Sequence, residues 1–149
     1  MALEQQIQKD IMEAMKAHDE SRLNATRSIK SEILLAKTSG AEHELSDADV
    51  LKIIQKLVKQ RKESAELYTQ GNRPELAEKE LAEMKVMETY LPKALSEDEV
   101  RNILKEIVAE VGATSPKDMG KVMGAATKRL AGQADGKLIS TIVKGLLAQ

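Results

Sequence analysis

The residues of this sequence most able to do chemistry are basic side chains near its end. From residue 113 onward there are six basic residues and two acidic ones, so the local net charge is 6 − 2 = +4. Because lysine attracts phosphate as a point charge, this region favours contact with an RNA backbone over the reading of base edges. An ordinary solvated helix face stays open as the alternative on charge alone. The candidate RNA-binding residues are Lys117, Lys121, Lys128, Arg129, Gly136, Lys137 and Lys144.

The spacing of the lysines and the glycines beside them also favour contact with a phosphate backbone in this region. Lys117, Lys121 and Lys128 are separated by four and seven residues, which predicts that they share one helix face. Glycine without a side chain lets another backbone or a phosphate approach closely. We expect Gly136 to need either a positive φ angle or such a close approach, so that Gly136→Val would lower stability as well as binding.

A second basic stripe occurs in the first half of the chain, where Lys52, Lys56 and Lys59 follow one another at i, i+4 and i+7. The next helical segment is rich in glutamate. Ion pairing across an antiparallel pair of helices is one interpretation, and each exposed pair would stabilise little. The other is an outward-facing stripe that contacts phosphates.

Other kinds of site find little support. Cysteine is absent, and the two histidines, His18 and His43, share no metal-ligand spacing with carboxylates. The segment 132–138 resembles a phosphate-binding loop, but it has three residues between its glycines instead of four, and Leu138 replaces the magnesium-binding hydroxyl. We therefore expect no metal and no cofactor, and interpret this segment as a turn capped by Asp135.

Amino-acid composition argues against several classes of binding partner. Aromatic residues make up 1% of the chain, which argues against folds that stack single-stranded bases, and the overall net charge of −1 gives no reason to expect DNA binding. No apolar run approaches the roughly 18 residues of a membrane span, and the first residues lack a signal-peptide core. We expect a cytoplasmic protein without a membrane partner.

Helical periodicity runs through the whole sequence and predicts an all-α fold. Helix starts are predicted at Asp19, at Ser46 with Asp49, at Ser96 with Glu99, and at Asp135. Ser115 followed by Pro116 predicts a further helix that ends at Gly132. Glycines also predict helix ends at Gly71 and Gly112. The pattern favours an N-terminal helical hairpin domain followed by a small C-terminal three-helix bundle.

The boundary is predicted at Pro92, where the helical pattern is interrupted. Residues 1–91 carry 14 basic and 17 acidic groups, whereas residues 92–149 carry 9 and 7, so the net charge changes from −3 to +2. Two of the eight glycines precede the boundary. We therefore predict an N-terminal domain over 1–91 and a C-terminal domain over 92–149, and we expect a fragment that starts near Lys93 to fold alone.

At these residues the sequence resembles the GatB/YqeY family. The C-terminal half is similar in Tyr90-Leu91-Pro92, Leu95-Ser96-Glu97, Lys117 to Gly124, Ala134 to Lys137, and Val143-Lys144. The N-terminal half is similar to the stand-alone YqeY type in Arg22-Leu23 through Arg27 and Lys30, in Lys59-Gln60-Arg61 with Ser64, and in Arg73 with Glu78-Lys79-Glu80. The resemblance covers essentially the whole chain.

The resemblance implies a function connected with tRNA. The C-terminal part is similar to the tail of the GatB-type component of the tRNA-dependent amidotransferase, a glutamine-dependent carbon–nitrogen ligase, whose tail engages tRNA. The domain that carries the transamidation chemistry there has no counterpart here, so the expectation is a tRNA-binding accessory module without catalysis of its own. The alternatives are a component of the amidotransferase that acts only with partner subunits, and a protein-interaction module without RNA. Amidotransferase or aminoacyl-tRNA synthetase subunits are the expected protein partners.

Overall fold

A computed structural model describes residues 2–39 and 45–148, and every regular element within them is helical, which confirms the all-α prediction. The helices are α1 (Leu3–Ala17), α2 (Glu20–Thr38), α3 (Asp47–Gln70), α4 (Pro74–Glu88), α5 (Glu97–Val111), a short 3₁₀ turn (Pro116–Asp118), α6 (Met119–Arg129) and α7 (Gly136–Leu147). The chain divides into two compact units, residues 1–91 and 92–149. Independent folding of the C-terminal unit stays a prediction. His43 lies outside the described residues.

The N-terminal unit packs α1 to α4 around one aliphatic core. Ile7 of α1, Ile29 and Ile33 of α2 and Ile54 of α3 are fully buried, and so is Met87 of α4. These side chains lie at helical spacing, so each helix buries one stripe and leaves its polar residues in water. Burial of a large aliphatic side chain stabilises a fold by about 1.5–3 kcal/mol, so these buried side chains together are the main source of stability for the unit.

Helices α3 and α4 form the predicted hairpin through a three-residue turn. The backbone N–H of Gly71 donates to the carbonyl of Leu67, 2.9 Å away, and ends α3 as predicted. Gly71 itself has φ −81°, and the left-handed residue of the turn is Asn72, with φ 59°. Asparagine tolerates this conformation better than most residues with a side chain. Pro74 then takes the first position of α4, where its missing N–H has no helical partner to lose.

The C-terminal unit is a three-helix bundle made of α5, α6 and α7. Its buried residues are Val100, Leu104, Ile107, Val122, Ala126, Leu130, Ile139, Ile142, Val143 and Leu147. Gly112 ends α5 with φ 70°, a conformation that suits glycine. The helix predicted over 116–132 begins as a 3₁₀ turn, becomes α-helical at Met119 and ends at Arg129. Gly132, with φ 75°, lies three residues beyond that end.

The four predicted helix caps are confirmed. Ser46 Oγ accepts from the N–H of Asp49 and Ser96 Oγ from that of Glu99, each at 3.2 Å. Asp19 and Asp135 cap α2 and α7 through their carboxylates. Such caps satisfy N–H groups that have no partner in the first helical turn. In the ranges 2–39 and 45–148, no helix is both long enough and apolar enough to cross a bilayer.

Candidate nucleic-acid interface

Two helices of the C-terminal unit present the candidate lysines to solvent. Lys121 and Lys128 lie two turns apart on α6, and Lys137 and Lys144 lie two turns apart on α7. All four are exposed, because α6 buries Val122 and Ala126 and α7 buries Ile139 and Val143 on the side of the core. Within the described residues none of the four is in an ion pair, so their charges are available to an external anion.

Lys117 lies in the 3₁₀ turn that leads into α6, and not on α6 itself. Because this turn has about three residues per turn instead of 3.6, α-helical spacing applies only from Met119 onward, and a face shared by Lys117, Lys121 and Lys128 stays a prediction. The Asp118 carboxylate holds this turn by accepting from the N–H of Thr114 at 2.9 Å and of Ser115 at 3.3 Å. Lys117 remains exposed at the start of α6.

Asp118 carries a negative charge near Lys121. The hydrogen bonds from Thr114 and Ser115, with a contribution from Lys121, lower the pKa of Asp118. The carboxylate therefore keeps its negative charge into more acidic solution than an isolated aspartate would. Among the described residues Lys121 forms no ion pair with Asp118, and Lys128 lies at the other end of α6.

Arg129 has a partner inside the protein. Its Nη2 lies 2.6 Å from Glu110 Oε2 and its Nη1 lies 3.3 Å from Glu110 Oε1, a two-point pairing between α6 and α5. The hydrogen bond raises the pKa of Arg129 and lowers the pKa of Glu110. Of the candidate cations, Arg129 is thus the one whose charge is already compensated, and it serves to join two helices.

The fold of its own unit does not require glycine at position 136, which corrects the expectation that Gly136→Val lowers stability; close approach of a phosphate to Gly136 stays a prediction. Gly136 is the first residue of α7, its φ is not positive, and a Cβ built on it would meet no atom within 4 Å. The positive φ of this segment belongs to Gly132 instead. Gly120 and Gly124 of α6 are also exposed, with nothing within 4 Å of a built Cβ. Packing among the described residues therefore does not require glycine at either position.

The second basic stripe is exposed along α3. Lys52, Lys56 and Lys59 form no ion pair within the part of the chain that the structure describes. The ion pairing predicted between α3 and α4 is present at Arg61, whose Nε lies 3.5 Å from both Glu80 Oε2 and Glu83 Oε1. Since Glu83 is buried, Arg61 supplies the charge that its burial requires.

Sequence reasoning missed a buried polar network in the N-terminal unit. Asp10 of α1 is only 7% exposed, and its carboxylate accepts from Gln6 Nε2 at 2.9 Å, Arg22 Nη2 at 3.3 Å and the Tyr90 hydroxyl at 2.5 Å. Burial, followed by the hydrogen bond to Asp10, raises the pKa of Tyr90 well above its ordinary value of 10.0. The network joins α1, α2 and the turn after α4. Its one signal in the sequence is an aspartate within the apolar stripe of α1.

Two relatives are fungal proteins named altered inheritance of mitochondria protein 41, mitochondrial. The protein from Vanderwaltozyma polyspora is 29% identical over 119 residues, which cover 76% of this chain and 64% of that protein. The protein from Pyrenophora tritici-repentis is 28% identical over 138 residues, which cover 90% of this chain and 75% of that protein. The chain thus spans less than two thirds of the first relative's length.

These relatives contradict the cytoplasmic location predicted from the sequence, because their names place them in mitochondria. The prediction was based on the absence of long apolar segments. The absence of a long apolar segment does not distinguish one aqueous compartment from another.

A third relative connects the chain with amidotransferases. It is a subunit of the glutamyl-tRNA(Gln) amidotransferase from Thermococcus gammatolerans, 33% identical over 102 residues, which cover 56% of this chain and 15% of that protein. This is a distant relationship to one part of a much longer protein. The model of the family described as Yqey-like protein matches residues 4–147, almost the whole chain. The chain therefore belongs to the YqeY-like family, as the motifs in its sequence predicted.

Proposed function

We propose that this protein is a tRNA-binding accessory module, related to amidotransferase subunits and without catalysis of its own. The observation that carries the proposal is the set of four exposed lysines on α6 and α7, which form no ion pair among the described residues. The relative from Thermococcus gammatolerans, whose name includes glutamyl-tRNA(Gln), supplies the class of nucleic acid.

The distribution of charge within the C-terminal unit supports the proposal. Helix α5 carries five acidic and two basic residues, so its net charge is 2 − 5 = −3, whereas the region from residue 113 onward has +4. Asp118 and Asp135 are the acidic residues of that region, and both accept backbone hydrogen bonds at helix starts. A phosphate backbone therefore meets attraction at α6 and α7 and repulsion at α5.

The contacts expected here are with phosphates. Lysine is a compact, strongly hydrated charge and does not read base edges bidentately as arginine does. Tyr68 and Tyr90 are the only aromatic residues of the chain, and both belong to the N-terminal unit, so α6 and α7 offer no ring for stacking. The module would bind different tRNAs with similar affinity, and specificity would come from a partner.

A titration with tRNA at two salt concentrations tests the proposal. Replacing Lys121 and Lys128 together by Ala should weaken binding of several tRNAs alike and reduce the salt slope by roughly 0.7 to 0.9 for each lost contact. The matched control replaces Lys93 and Lys105, exposed lysines of the same unit that lie outside α6 and α7. Unchanged affinity in the first variant, or an equal loss in the control, would remove this surface from the proposal. If the wild-type protein shows no salt-dependent binding, a protein-interaction module becomes the better explanation.

A second candidate function is participation in amidotransfer with partner subunits, and the relationship to an amidotransferase component favours it. The chain would then be one component of a glutamine-dependent carbon–nitrogen ligase. Adding the protein to partner subunits that lack this component should restore conversion of the charged tRNA to its amide form. Restoration by the Lys121/Lys128 double variant would show that these lysines have no part in that activity.

A further inference from the structure

An open groove runs between α2 and α3 of the N-terminal unit. Leu35 and Ala36 of α2 and Ile53 and Leu57 of α3 form its apolar walls, and Glu32 and Lys56 are its charged residues. One end is held by a hydrogen bond of 2.9 Å from Arg61 Nη2 to Ser28 Oγ, so the two helices are fixed beside each other there. The Leu35 side chain is 62% exposed.

The charges at this groove are predominantly positive. Lys56 lies in the wall, and Lys52 and Lys59 are one turn away from it on either side along α3. Glu32 is the acidic residue among the described residues that line the groove, so Glu32 and the three lysines together carry 3 − 1 = +2. All three lysines are exposed, and no partner of theirs lies among the described residues. An occupant that complements this surface carries carboxylates along the α3 side.

The apolar walls favour a protein segment over RNA. Phosphates would satisfy the lysines, but they would leave Leu35 and Ile53 facing a polar backbone, and neither Tyr68 nor Tyr90 lines the groove to stack a base. Leucine or a similar side chain on the occupant would fill the walls while its glutamates or aspartates pair with the lysines. Amphipathic helices bind grooves in this way, with apolar anchors one turn apart.

We propose that the α2–α3 groove docks an acidic amphipathic helix of a partner protein. Its apolar side chains lie against Leu35, Ile53 and Leu57, and its carboxylates lie along Lys52, Lys56 and Lys59. The groove belongs to the N-terminal unit, whereas the lysines of α6 and α7 belong to the C-terminal unit, so the two proposed surfaces share no residue.

A synthetic peptide tests the proposal directly, with the full-length protein and no RNA in the assay. The probe is a fluorescently labelled helical peptide with leucines one turn apart and glutamates beside them. Two companions replace either the leucines by alanine or the glutamates by lysine. We expect the leucine–glutamate peptide to bind and both companions to bind at least about tenfold more weakly, the scale expected for losing a buried leucine or reversing complementary charge.

Matched variants place the binding in the groove. Leu35→Gln and Lys56→Gln should each lower the affinity for the leucine–glutamate peptide by about tenfold. Leu67→Gln is the control for the first, because Leu67 is 67% exposed on α3 and does not line the groove. Lys62→Gln is the control for the second, because Lys62 is an exposed lysine of α3 outside the stripe. Amide shifts in NMR should concentrate at residues 32–36 and 53–57.

Several results would overturn the proposal. One is the absence of binding by the leucine–glutamate peptide, and another is equal weakening by a variant and its control. If Lys56→Gln instead lowers tRNA affinity while peptide binding is unchanged, the stripe is a phosphate contact. If sedimentation shows a concentration-dependent dimer that Leu35→Gln abolishes, the groove is an interface between copies of this chain. Each of these results excludes an acidic partner helix as the occupant.

Discussion

The Tyr90 hydroxyl donates a hydrogen bond of 2.5 Å to Asp10 Oδ2, although 80 residues separate the two in the sequence. Asp10 lies on α1 and Tyr90 lies in the turn after α4, so the bond fastens the end of the N-terminal unit to its first helix. Arg22 of α2 supplies the positive charge at 3.3 Å. A buried carboxylate without such partners would cost several kcal/mol, which makes the position of Tyr90 a condition for burying Asp10.

Removal of the Tyr90 hydroxyl should destabilise the protein. Tyr90→Phe keeps the ring but leaves Asp10 with one donor fewer, and we expect the free energy of unfolding to fall by about 1–3 kcal/mol. Denaturation by urea, followed by circular dichroism, measures this. Tyr68→Phe is the control, since the Tyr68 hydroxyl has no hydrogen-bond partner among the described residues, and it should change stability by less than about 0.5 kcal/mol. Equal effects of the two variants would contradict the role given to Tyr90.

The raised pKa of Tyr90 predicts a loss of stability in alkaline solution. In the unfolded chain the phenol ionises near its ordinary pKa of 10.0, while the folded protein keeps the proton to higher pH. The contribution of Tyr90 is therefore complete below pH 10.0 and decreases as the pH rises above it. Urea midpoints of the wild type and Tyr90→Phe, measured from about pH 8 to about pH 11, should converge as the phenol ionises. A difference that stays constant over this range would contradict the raised pKa of Tyr90 in the folded protein.

Two glycines of the C-terminal unit should respond to alanine with opposite signs. Gly124 lies inside α6 with open space around its Cβ direction, so Gly124→Ala should raise the free energy of unfolding by about 0.5–1 kcal/mol. Gly112 ends α5 with φ 70°, so Gly112→Ala should lower it by about 1–2 kcal/mol. Thermal unfolding compares them. If Gly124→Ala also weakens tRNA binding while it stabilises the fold, close approach to α6 explains the glycine.

Lys128 and Arg129 are neighbours in the sequence, but their replacements should have different consequences. Lys128 is exposed without a partner among the described residues, whereas Arg129 pairs with Glu110 across 2.6 Å. Lys128→Gln should therefore weaken tRNA binding and leave the melting temperature unchanged. Arg129→Gln should have the smaller effect on affinity and should lower the melting temperature. The tRNA affinities of both variants are measured at one salt concentration. A larger loss of affinity in Arg129→Gln than in Lys128→Gln would contradict the idea that Glu110 already compensates Arg129.

The C-terminal unit should fold without the rest of the chain. Its core residues, from Val100 to Leu147, belong to one cluster within residues 92–149. A fragment that starts at Lys93 should give a helical circular dichroism spectrum and a cooperative melt. Its stability should be modest, because a domain of about 55 residues buries a small core. A spectrum typical of random coil would show that the unit depends on the N-terminal half.

The helices and their caps could be predicted from the sequence alone. The apolar spacing of each helix depends on neighbours three and four residues apart, and the caps at Ser46, Ser96 and Asp135 act within a single turn. For that reason the all-α class, the bundle and most helix starts could be predicted. The family could also be identified, because its motifs are short stretches of sequence. These features are determined by interactions between residues close together along the chain.

Tertiary structure decided which charged residues have partners. Lys128 and Arg129 look alike in a charge pattern, and only the packing of α6 on α5 assigns Glu110 to one of them. Arg61 likewise differs from the lysines of its helix because α4 brings Glu80 and Glu83 to it. The partners in these pairs, like Asp10 and Tyr90, are far apart in the sequence. Helical periodicity places a side chain on a face of its own helix, but the atoms opposite that face depend on how the helices pack together.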